Sequence, residues 1–123
     1  MITINKHVRN VLINETSITN IVNDKIYSLY IPDSDVDAPF IILNRLDNNR
    51  TYIKDDPVKD VIKFSVVCVA KKYVDVIDLA DKTDSILDTH KFNKSTFTGQ
   101  IRQVNINEAF TGEYMIDLEY EIT

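Results

Sequence analysis

One cysteine, two glycines, three prolines and no tryptophan occur in the 123 residues. A lone cysteine excludes an intramolecular disulfide, and with it the stapled class of small secreted scaffolds. Gly99 and Gly112 stand apart, so no glycine-rich loop can cradle a phosphate, and no G-x-S-x-G elbow is present. Basic residues are also short: 14 Lys and Arg stand against 19 Asp and Glu, for a net charge of −5. A surface of that sign displaces few counterions from nucleic-acid phosphates and is not drawn to an anionic membrane. No apolar run approaches the ~20 residues of a membrane helix, and the amino-terminal MITINKHVRN lacks the apolar centre of a secretion signal. These absences predict a soluble, cytoplasmic protein.

What is present suits one domain over residues 1–123, with 44% hydrophobic and 27% charged residues. Ile4, Val8, Val11 and Leu12 recur at helical spacing and make one apolar helix face over 4–14. Thr16 and Ser17 are suited to cap a shorter helix carrying Ile18, Ile21 and Val22. Ile26 to Tyr30 is brief and rich in β-formers, and Pro32 to Asp37 reads as an acidic loop. Pro39 opens a strand from Phe40 to Leu46 whose two parities are both largely apolar, a pattern expected where both faces are covered, by the fold itself or by a neighbouring subunit. Phe40, Ile41 and Leu43 are therefore candidate interface residues. Residues 47–60, with Asn48-Asn49 and Asp56-Pro57, read as a long loop in which Arg50, Tyr52 and Lys54 are candidate contacts to a partner.

Val61 to Ala70 alternates as a strand, with Ile62, Phe64, Val66, Cys68 and Ala70 on one face. A long helix follows, with Val76, Leu79, Ala80, Thr83, Ile86 and Leu87 as its buried stripe and aspartates 75, 78, 81, 84 and 88 turned mostly to water. His90 falls in its last turn, where a partial positive charge suits the helix dipole. Two strands close the pattern around a turn at Gly112: one alternates Val104 and Ile106 with Gln103, Asn105 and Asn107, the other runs Tyr114 to Ile122. In the latter Asp117, Glu119 and Glu121 share one face, three carboxylates in a row on one side of a sheet. The whole predicts an α+β fold, a mainly antiparallel sheet of four to five strands with two to three helices packed on one face.

Catalytic and metal motifs are weak. Asp33, Asp35 and Asp37 have the opening spacing of a calcium loop, but Ala38 stands where the turn requires glycine and Asn44 where a bidentate glutamate belongs. His7, His90 and Cys68 show no ligand spacing. No catalytic, cofactor or metal site is expected.

The order of elements resembles the tail-completion, or tail-terminator, proteins of long-tailed bacteriophages and prophages. The likeness runs through the helix at 4–14, the short element at 17–22, the Ile26-Tyr27 step and the strand opening Pro39-Phe40-Ile41-Ile42. It continues in Phe64-Ser65-Val66-Val67-Cys68-Val69, in Ala80-Asp81 with Ile86-Leu87, and in the closing run from Tyr114 to Ile122. The family often has glycine before the I-Y step, where this chain has Asp24-Lys25. The resemblance implies a structural subunit of the virion tail, assembled in the bacterial host cytoplasm. Its copies would form a ring, commonly a hexamer, that caps the head-proximal end of the tail tube and joins it to the head. The implied partners are further copies of itself, the tail-tube protein and a head-completion protein, with no cofactor. DNA would pass through without specific binding, and Asp117, Glu119 and Glu121 would then line a channel or rim and repel it. Two alternatives stand beside this one: a head-closure or neck protein on the head side, and a small monomeric enzyme or ligand-binding domain.

Overall fold

A computed structural model describes residues 4–28, 37–51, 59–93 and 98–122. The helices are α1 (Ile4–Ile13), α2 (Thr16–Val22) and α3 (Tyr73–Leu87). The strands are β1 (Ile26–Ser28), β2 (Phe40–Thr51), β3 (Lys59–Ala70), β4 (Lys91–Asn93), β5 (Thr98–Phe110) and β6 (Tyr114–Ile122). Five of them make a continuous sheet in the order β1-β2-β3-β6-β5, and the short β4 adds to the outer edge of β5. Every pairing is antiparallel except β1 with β2, which is parallel. The fold is thus α+β with a mostly antiparallel sheet, as the alternating patterns predict.

Parity decides which face of the sheet is covered. Ile41, Cys68 and Ile116 stand in register on neighbouring strands, as do Leu43, Val66 and Leu118, and all six are buried beneath the helices. The helical stripes meet them: Ile4, Val8 and Leu12 from α1, Ile18 and Val22 from α2, Val76, Leu79 and Leu87 from α3, all in one cluster. α1 packs over β1 and β2, α3 over β3, β6 and β5, and α2 lies between the two helices. The largest buried pair is Phe64 stacked on Tyr120, with ring centroids 5.4 Å apart.

Several local expectations need correction. Within the expected loop 47–60, residues 47–51 and 59–60 are strand: β2 continues to Thr51 and β3 begins at Lys59, in register Arg50 to Asp60 and Thr51 to Lys59, while residues 52–58 lie outside the described residues. A register shift between Arg45 and Asn48 absorbs Leu46 and Asp47, as a bulge does when one strand carries extra residues. The N-cap position of α2 is Glu15, without a side-chain capping bond, rather than Thr16 or Ser17. α3 ends at Leu87, so His90 lies beyond the helix; its backbone N–H donates to the Leu87 carbonyl and its carbonyl accepts from Ile101. Gly112, at φ +83°, makes the β5–β6 turn in a conformation that side chains disfavour. Residues 29–36, which include Asp33 and Asp35, lie outside the described residues.

Candidate functional site

The face of the sheet away from the helices is divided. One part is apolar: Phe40 and Val69 are buried there with Ala38, against the half-buried Tyr27, Ile42, Val67 and Met115. Tyr27 and Phe40 meet edge to face with centroids 6.4 Å apart. The other part is polar and holds Asp117, Glu119 and Glu121 side by side on β6. In register beside them stand Val67 and Asn107 for Asp117, Ser65 and Asn105 for Glu119, and Lys63 and Arg102 for Glu121. Glu121 is therefore flanked by a cation on each neighbouring strand, a match that pattern along one strand cannot reveal.

All three carboxylates are half-buried rather than fully exposed. Burial, and then the adjacent Glu119 charge, push the Asp117 carboxyl above its ordinary value, while a hydrogen bond from Ser65 acts the other way. Asp117 Oδ1 is buried without a hydrogen-bond partner. Glu119 accepts from Asn105 Nδ2 at 3.3 Å. Of the interface candidates, Ile41 and Leu43 are wholly enclosed beneath the helices, and Phe40 is covered on the open face by its own chain. The side chains of Arg50, Tyr52 and Lys54 lie outside the described residues.

A second surface was not read from the sequence. Along the outer side of α3 a groove of about 220 Å³ runs between the helix and β5, lined by Ile77, Ala80, Asp81, Asp84, Ile106 and Glu108 among others. Val104, Ile106 and Phe110 of β5 and Val74 of α3 are each more than half exposed. Alternation predicted Val104 and Ile106 as one continuous strand face. Instead, a register shift between Gln103 and Asn105 resets the parity, so Ile101 is buried while Ile106, opposite Leu118, looks into the groove. At one end Tyr73 Oη donates to both carboxylate oxygens of Glu108, at 3.1 and 3.2 Å. Two of the helix aspartates expected in water are engaged: Asp84 accepts from Tyr120 Oη at 2.8 Å, and Asp88 accepts from the backbone N–H of Gln103 at 2.9 Å.

Cys68 is buried, and burial pushes its thiol up to about 12, which leaves essentially no thiolate at neutral pH. Among the described residues, no three His, Cys, Asp or Glu side chains come together to hold a metal ion. No described helix is long and apolar enough to cross a membrane.

No family model and no curated protein matches the chain. Among solved structures, a chain from the virion of a native gene transfer agent particle superposes with a TM-score of 0.83, covering 97% of this chain and 92% of that one. The two are 13% identical. At that identity the likeness is one of fold, and it extends over nearly the full length of both chains.

Proposed function

We propose that this chain is a structural subunit of a phage-like particle. In that reading its copies form a ring, a hexamer as the resemblance implies, that caps the head-proximal end of the tail tube, stops its polymerisation and joins it to the head. The observation that carries the reading is the nearly full-length fold likeness to a chain of a gene transfer agent virion. The one thiol of the chain, Cys68, is buried and protonated and so is not available as a nucleophile. The tail-tube and head-completion proteins are the partners this role requires, the particle is its location, and DNA passes the ring without being held. Asp117 and Glu119, with no cation beside them in register, supply the repulsion, while Glu121 is balanced by Lys63 and Arg102.

Electron micrographs of particles assembled with and without this chain test the reading. Overlong or headless tails in its absence are the expected result. Tails of normal length beside heads that lose their DNA would move the protein to the head side of the junction, and unaltered particles would remove it from the assembly.

A further inference from the structure

We propose that the outer edge of β5 between Ile106 and Phe110 takes up an extended segment of another protein as one more strand of the sheet. That segment carries a lysine or arginine between two large apolar residues, the three at alternate positions. The proposal goes beyond the ring reading and does not depend on it, because it concerns the surface of a single chain.

The outer edge of β5 is unfinished. β4 pairs with it only over Thr98 to Gln100, and the bonds that Thr89, His90 and Asp88 make along the same edge reach no further than Gln103. From Val104 to Phe110 no described strand pairs with that edge. The opposite edge of the sheet is short and blunted. β1 has three residues, the Ile26 carbonyl accepts from Arg9 Nε at 3.1 Å, and the Ile26 N–H donates to the Asp24 carbonyl. Proteins protect strand edges in such ways, and an edge left open is where an extended peptide adds.

The side chains beside that edge select the occupant. Ile106, Glu108 and Phe110 stand in register with Leu118, Ile116 and Tyr114, which puts them on the helix side of the sheet. Ile106 and Phe110 are 51% and 60% exposed. A strand added here sets alternate residues directly opposite these three, and apolar pairs and opposite charges are the favourable cross-strand neighbours. It must therefore be apolar opposite Ile106 and Phe110 and basic opposite Glu108. The groove alongside asks for the same charge: Asp81, Asp84 and Glu108 line it, and no described basic residue does. The Tyr120 and Tyr73 hydroxyls that bond Asp84 and Glu108 are neutral donors and do not cancel those charges. Lys82, the one cation of α3, is held by Asp78 at 3.0 Å. A second copy does not supply the pattern in extended form. It occurs in the chain at Lys6 between Ile4 and Val8, and at Lys71 between Val69 and Tyr73. The first lies in α1 with both apolar residues buried; the second has Val69 buried and runs into α3.

The test is fluorescence anisotropy with a labelled, end-blocked threonine peptide that carries valine, lysine and valine at alternate positions. It should bind roughly tenfold more tightly than the same peptide with glutamate in place of lysine. Only alternate N–H groups of an added strand face β5, so methylating the peptide's amide nitrogens on one parity should abolish binding and on the other should spare it. Glu108→Lys should cancel or reverse the preference between the two peptides. Ile106→Asp should weaken the lysine peptide roughly tenfold. Circular dichroism verifies folding, with Phe110→Ser as the substitute should Ile106→Asp not fold. No binding of the lysine peptide, equal binding of the glutamate peptide, or indifference to methylation on both parities overturns the proposal. A preference unchanged by Glu108→Lys, or an affinity unchanged by Ile106→Asp or its substitute, does the same. Self-association that the lysine peptide displaces would give the edge to a second copy and also overturn it. No arm uses assembled particles, so the ring reading is decided separately by the micrographs.

Discussion

The two faces of the sheet are built from the same strands yet obey different rules. On the helix-covered face β1, β2, β3, β5 and β6 each contribute buried residues, and Ile41, Phe64, Val66, Cys68, Leu118 and Tyr120 form one continuous interior. On the other face the apolar residues stop partway across, and carboxylates, amides and a lysine take over. The first face is what makes the chain fold, because burying it is the main favourable term. The second buries apolar side chains only around Phe40 and Val69, so its polar part is the freer of the two to be shaped by whatever it meets.

Substitutions can break this contrast in order of size. Phe64→Ala should be the most damaging: the ring is fully buried and stacked on Tyr120, and such truncations cost about 3–5 kcal/mol. Urea unfolding should show it as a large drop in midpoint with little change in slope. The adjacent isoleucines give the sharpest internal comparison. Ile41→Ala, on the covered face, should cost about 2–5 kcal/mol, whereas Ile42→Ala, half-buried on the open face, should cost about 1 kcal/mol. Equal losses would mean that the open face is as much a folding core as the other.

The smallest effect concerns Asp117. Its carboxyl is raised by burial and by Glu119, so the folded state resists ionising it more than the unfolded state does. Stability should therefore be fullest below the ordinary carboxylate range and fall as pH rises through that range to the raised folded value, staying lower above it. Asp117→Asn should flatten that part of the urea midpoint against pH profile and leave neutral-pH stability equal or slightly higher. A steeper profile in the variant would show that the carboxylate is stabilised in place.

Much of the covered face was legible because period and parity are set by burial. The stripes of α1 and α3, the alternation of β3 and β6 and the α+β class all follow from apolar spacing. Other features depend on partners far along the chain. Asn48, Asn49 and Arg50 read as loop by composition, but β3 supplies the backbone pairing that holds them as strand. Ile106 reads as sharing a strand face with Val104, yet a register shift sets it opposite Leu118 on the helix side, where the limit of α3's coverage leaves it half exposed. Asp84 looks like one more solvated aspartate until β6 brings the Tyr120 hydroxyl to it. The acidic row was plain from sequence, but the cations beside Glu121 come from β3 and β5 and needed the register.

The position of β6 has a consequence for how the protein is made. Though it follows all the other strands in sequence, it sits inside the sheet, with β3 on one side and β5 on the other. Until those residues leave the ribosome, β3 and β5 have no common neighbour, and Ile62 waits for Ile122, 60 positions later, to complete its register. Non-local pairing of this kind is slow and leaves strand edges open in the meantime. A nascent chain halted before β6 would thus expose the apolar faces of β3 and α3 together, a form suited to chaperone capture and proteolysis. Subunits able to enter an assembly would be those whose synthesis had already run through β6.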